Sequence, residues 1–238
     1  MKQAILLLLF IVTSNSCICQ NPDSLTVIKT VDSLMLVSDS LSSQFKFEKA
    51  LDMTAEAETL VLGTIGSESA AYGKVCLNLG RIMFDQGNYL QAEQLFLKAK
   101  TLLANTLGKE HADYAISLRS LADLYAYLAE FDKAEQLYLE AMKIRSAVAS
   151  DKDQADYAES VNNLANLYAN QGDFDKAEKL YLESMSIREK VFGKQHQKYA
   201  ESLDNLATLY DEMGDFDKAE EYYQEACDLM AKSKGKNH

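Results

Sequence analysis

Along most of the chain, apolar residues return every three or four positions, with charged and amide residues between them. In one block Leu164, Leu167 and Tyr168 stand at i, i+3 and i+4, and the next block repeats that spacing with Ala177, Leu180 and Tyr181. This is the period of a helix carrying one apolar stripe, so each block predicts a helix with one buried side. Gly172-Asp173 separates the two, and Gly214-Asp215 separates a later pair. The glycine permits a left-handed helix ending, and the aspartate can accept hydrogen bonds from the free N–H groups of the helix that follows. Two antiparallel helices per unit follow.

The pattern recurs. The stretches "YLQAEQLFLKA" from Tyr89, "FDKAEQLYLEA" from Phe131, "FDKAEKLYLES" from Phe174 and "FDKAEEYYQEA" from Phe216 align without gaps, with starts 42, 43 and 42 residues apart. Upstream of each lies a second block in the same register, "LNLGRIMFDQGN", "RSLADLYAYLAE", "NNLANLYANQGD" and "DNLATLYDEMGD". A fainter unit precedes them, because Phe47, Ala50, Ala57 and Gly66 match Tyr89, Ala92, Ala99 and Gly108. The predicted organisation is therefore a leader over residues 1–19, a degenerate helix pair over 20–66 and four regular pairs over 67–238. Gly80, Ala122, Ala165 and Ala207 share one position of the first helix, and Ala92, Ala134, Ala177 and Ala219 share one of the second. A hydrogen or methyl there lets helix axes approach, while Tyr and Phe neighbours fill the space around the crossing.

Composition agrees with an all-α chain: one proline, ten glycines and no tryptophan in 238 residues. Lys2, the apolar run Ala4 to Val12 and then "TSNSCIC" read as a signal peptide, since nine apolar residues are too few to span a bilayer. Export to the periplasm or beyond is the expectation, with no membrane insertion after cleavage. A lipid anchor on Cys17 or Cys19 is the alternative. The net charge of −12 disfavours nucleic acid and anionic membrane surfaces as partners.

With its Leu, small residue and Tyr in one helix and aromatic, Ala, aromatic and Ala in the next, the sequence resembles the tetratricopeptide repeat. The 42-residue period is similar to the longer variant typical of kinesin light chains and many bacterial repeat proteins. The resemblance implies a right-handed α-solenoid whose first helices line a concave groove. Two junctions depart from it: Gln197 stands where the family has proline, and the second junction reads "SDKD", Ser150 to Asp153.

Carried across by register, the groove positions are Lys74, Asn78 and Arg81, then Arg119, Ser120 and Asp123, then Glu159, Asn163 and Asn166, and finally Glu201, Asp204, Asn205, Thr208 and Asp211. Asn78, Asn163 and Asn205 form a ladder broken by Ser120, and side-chain amides can both donate to and accept from an extended peptide backbone. Basic residues at the N-terminal end and acidic ones at the other imply a ligand segment of opposite polarity. His111, His196 and His238 sit at equivalent helix starts, so neither a metal nor a catalytic site is expected. Cys76 and Cys227 lie too many units apart to bridge, and both are expected to be buried. The "FDKAE" carboxylates read as a solvated helix start.

The function this implies is a non-catalytic scaffold, without cofactor, for a protein or peptide partner. "GKNH" at Gly235–His238 repeats the junctions "GKEH" and "GKQH", so the last pair is expected to be uncapped. One alternative makes the chain the arm of a larger bacterial protein, with a caspase-like protease or signalling module beyond. Another has it self-associate through the uncapped end.

Overall fold

The computed structural model describes residues 22–146 and 151–234, and the leader, part of the "SDKD" junction and "GKNH" with His238 lie outside them. Among the described residues are ten helices and no strand: α1 (Pro22–Ser42), α2 (Phe47–Thr64), α3 (Ala70–Asp85), α4 (Tyr89–Leu107), α5 (Ala112–Tyr127), α6 (Phe131–Ser146), α7 (Asp151–Asn170), α8 (Phe174–Phe192), α9 (Gln197–Met213) and α10 (Phe216–Lys234). Each odd helix packs most extensively on the even helix after it, and each pair packs on the next. The result is an α-solenoid of five hairpins. Successive odd helices also touch directly, α1 with α3, α3 with α5 and α5 with α7, to an extent the even helices do not match. The stack therefore curves with the odd helices on its inner side.

Local chemistry fixes the hairpins. Gly87, Gly172 and Gly214 have φ of +80°, +78° and +79° at the turn, where the backbone is left-handed. Ala129 occupies the same position with φ +59°, which costs an L-residue about 1–2 kcal/mol. His111 and His196 are helix caps: Nδ1 of His111 accepts from the Asp113 N–H at 3.0 Å, and Nδ1 of His196 from that of Lys198 at 3.1 Å. Ser69 does the same for α3, accepting from the Tyr72 N–H at 3.2 Å. At the small-residue crossing, a methyl on Gly80 would meet the Phe96 ring at 2.5 Å, and Ala122, Ala165 and Ala207 are buried at the equivalent positions.

The aspartate of the "FDKAE" motif is exposed, as a solvated helix start requires, but the glutamates Glu135 and Glu178, with Glu93 at the same register, are latches between units. Tyr125 donates its hydroxyl to Glu93 at 2.6 Å, and Tyr168 and Tyr210 donate to Glu135 and Glu178 in the same way. Each glutamate belongs to the second helix of the preceding unit. Lys133, Lys176 and Lys218 lie over these three rings at 4.9, 4.7 and 4.6 Å from the centroids. Burial, then the hydrogen bond to a carboxylate, pushes the Tyr125 and Tyr168 hydroxyls up to about 12, so both stay donors at any physiological pH.

A second tie uses buried arginine. Arg188 of α8 donates to Glu159 of α7 at 2.9 Å, and in α9 to the Ser202 hydroxyl at 2.9 Å and the Lys198 carbonyl at 3.3 Å. Arg145 of α6 likewise reaches Asp156 at 2.7 Å and the Ala112 carbonyl at 3.1 Å. Cys76 is buried, and burial pushes its thiol up to about 11. Cys227, expected in the core, is exposed on α10, because no described helix packs over that side of the last pair.

Candidate functional site: the inner face of the odd helices

The fourteen candidate groove residues lie on α3, α5, α7 and α9, and amide rungs join α3, α7 and α9 each to the odd helix before it. Asn78 donates to Asp39, Asn163 to Asp123 at 2.8 Å, and Asn205 to Asn162 at 2.8 Å. The amide ladder thus first serves to bind helix to helix.

The rungs differ in what they leave over. Asn78 is withdrawn from the groove: it is buried, and its carbonyl accepts from the hydroxyls of Ser38 at 3.0 Å and Thr54 at 2.6 Å. Both of its polar ends are engaged, so it cannot hold a peptide backbone as its register predicted. Ser120 is buried as well. Nor is the N-terminal half a free basic surface, because Arg81 pairs with Asp39, Lys74 lies 3.4 Å from Asp32 and 3.7 Å from Asp113, and Arg119 lies 3.7 Å from Asp123. Those charges are answered from within the protein.

Asp123 sits at the middle of the face. It accepts the Tyr138 hydroxyl at 2.6 Å and the Asn163 amide, yet burial outweighs these donors and Arg119, and holds its carboxyl above the usual range. Asn166 occupies the same register one unit on and accepts the Tyr181 hydroxyl at 2.5 Å. Asp123→Asn should therefore fold and keep both accepted bonds. A carboxyl whose folded pKa is raised favours folding as pH falls through that value, so the variant's stability relative to wild type should be highest near neutrality and decline toward acid. Urea midpoints across the acid range check this; a relative stability that grows toward acid contradicts it.

The C-terminal half is different. The Asn205 carbonyl and the Asn166 N–H groups have no partner among the described residues, and Asp204, Asp211 and Glu212 form no ion pair there. A hollow of about 290 Å³ between α7 and α9 is lined by Asn166, Asn170, Tyr181, Asn205, Thr208 and Glu212. The Thr208 hydroxyl bonds the Asp204 carbonyl at 3.0 Å and lies 3.2 Å from that of Tyr223. Asn170, absent from the sequence candidates, follows Asn166 by one helical turn, and that spacing was its only signal. Among the described residues no three His, Cys, Asp or Glu side chains converge as a metal site would require, and no helix is long and apolar enough to cross a membrane.

A search of the curated proteins found no match. Among solved structures, BtubC (BKLC) from P. vanneervenii superposes with a TM-score of 0.72 at 23% identity, covering 90% of this chain and 84% of that one. The nearly identical TPR-like repeats assigned to a Podosopora anserina kinesin light chain give 0.66 at 20% identity, covering 87% of this chain and 97% of that one. A Rap protein complexed with Competence and Sporulation Factor gives 0.71 at 16% identity, covering 83% of this chain and 53% of that one. The tetratricopeptide repeat family model matches residues 69–147 and 156–232, which take in α3 to α6 and most of α7 to α10. On that match, and on the stacked hairpins with small residues at each crossing, the chain belongs to the tetratricopeptide repeat family.

Proposed function

We propose that the chain is a protein-interaction scaffold without chemistry of its own, holding an extended peptide segment along the inner face of α5, α7 and α9. The observation that carries this reading is the hollow between α7 and α9, where amide groups of both polarities face a cavity without partners of their own. An extended backbone offers matching donors and acceptors at regular spacing. With the N-terminal cations already paired and Asp204, Asp211 and Glu212 unpaired, the favoured segment is basic where it crosses α9. A Rap protein bound to Competence and Sporulation Factor, and another Rap regulator bound to the Phr* peptide, share this fold and support a peptide as the ligand class. Export directed by residues 1–19 is part of the same proposal and would place the partner in the cell envelope or outside it.

Panning a random peptide display library against the full chain tests the reading. Enriched peptides should carry Lys or Arg, and the double variant Asn170→Ala/Asn205→Ala should bind them about tenfold more weakly, as expected for two or more lost hydrogen bonds. The variant should unfold close to wild type, since Asn170 makes no bond among the described residues and Asn205 makes one. Equal binding by the variant, or no enrichment at all, contradicts the proposal.

A further inference from the structure

The last helix pair ends in a face whose chemistry the earlier interfaces define. In each interior interface the aromatic residue of the second helix is covered by the next unit: Phe96 is 2% exposed, Tyr138 2% and Tyr181 5%. Tyr223, at the same register on α10, is 37% exposed. Beside it, Phe216, Ala219, Glu220 and Cys227 line an open hollow of about 340 Å³. Of the counterparts of Cys227, Met142 and Met185 pack instead against a closed core, and the third is Lys100.

Glu220 says what would fill the hollow. Its counterparts Glu93, Glu135 and Glu178 each accept a tyrosine hydroxyl from the next first helix. Glutamate and tyrosine occur together or not at all. At the α2–α3 interface the glutamate position holds Leu51 and the tyrosine position Met83. Glu220 itself makes no hydrogen bond or ion pair among the described residues. A buried tyrosine hydroxyl needs a partner, and a carboxylate beside an apolar hollow is a ready one.

We infer that the α9–α10 face is a docking site for an amphipathic helix of a partner that presents two leucines and a tyrosine at i, i+3 and i+4, the spacing of Leu164, Leu167 and Tyr168. The tyrosine hydroxyl is donated to Glu220 and the leucines cover Tyr223. A second copy stacked head to tail is a poor match, since α1 carries Leu41 at the tyrosine position and would leave Glu220 against an alkyl group. This site is separate from the inner face, so a failed peptide-panning result leaves it standing.

The probe is a hydrocarbon-stapled, fluorescent helix with the sequence of residues 155–171, titrated into the full chain and followed by anisotropy. Saturable one-to-one binding is expected, with alkylation of Cys227 by N-ethylmaleimide slowed in the complex when mapped by mass spectrometry. Phenylalanine in place of the probe's residue that corresponds to Tyr168, with that of Tyr157 kept, should weaken binding about tenfold, the typical worth of a hydrogen bond to a charged group. Glu220→Ala should weaken it similarly, and the two changes together no more than either alone. Glu220 is exposed on a helix, so this variant keeps the fold, as its thermal melt would verify. Absent binding, binding indifferent to hydroxyl and carboxylate, or a Cys227 that stays equally reactive in the complex would overturn the assignment. So would concentration-dependent protection of Cys227 without the probe, which would make a second copy the occupant.

Discussion

Arg188→Met is expected to lower the stability of the chain by about 3–5 kcal/mol and to split its unfolding into two steps. The guanidinium is buried and ties three helices together, α7 through Glu159 and α9 through Ser202 and the Lys198 carbonyl. Methionine fills part of the space but donates nothing. In a stack whose units touch only their neighbours, loss of this tie uncouples α9–α10 from the rest, so the last pair should melt first. Calorimetry or urea unfolding followed by a probe on α10 would show the separated step. Pairing the variant with Glu159→Leu should recover much of the loss, because an apolar pair of similar size removes the stranded carboxylate.

The same site sets an acid limit. Burial pushes the Glu159 carboxyl up, but Lys198, Arg188 and Arg119 together outweigh burial and hold it below the usual range. A carboxylate lowered in the folded state contributes stability that is complete above its unfolded pKa of about 4.3 and is lost as pH falls through the lower folded value. The gap between wild type and Arg188→Met should therefore narrow as pH falls from about 4.3 through the lower folded value, leaving the part carried by the Ser202 and Lys198 bonds.

Ala177→Leu is the second large effect, expected to cost about 3 kcal/mol, the upper end for overpacking. Ala177 is fully buried on α8, and the Tyr181 ring one turn on fills the space around the crossing. Three added carbons must displace that ring or part α7 from α8, and either move disturbs the bond from Tyr181 to Asn166 on the inner face. The variant should thus lose both stability and peptide capture, measured by urea midpoint and by binding of the panned peptides. Leu182, five residues after Ala177 on the same helix, is exposed, so α8 accommodates a leucine away from the crossing and the effect is one of place and not of residue type.

What lies within one unit was legible from the sequence, and what lies between units was less so. The period gives five hairpins, the shared Gly and Ala positions give the crossings, and the junction histidines read as helix starts, where His111 and His196 are caps. The Tyr–Glu latch was missed, although both residues repeat, because its partners sit 32 or 33 residues apart in different units and neither motif alone shows the bond. Asn78 shares its register with Asn163 and Asn205, yet its surroundings come from Ser38 and Thr54 of the degenerate first pair, which the regular units lack. Cys227 was assigned to the core by helical spacing, which assumes a neighbour on both sides of every pair. The start of α7 at Asp151, three residues before Gln154 at the histidine register, reflects a junction with no capping histidine or glycine.

Photo-crosslinking tests most directly which side of the curve receives the ligand. A panned peptide carrying a benzophenone at its centre should form adducts on α5, α7 and α9, at positions such as Asp123, Asn166, Asn170 and Thr208. Adducts concentrated on α6 and α8, across the outer side of the stack, would contradict the account.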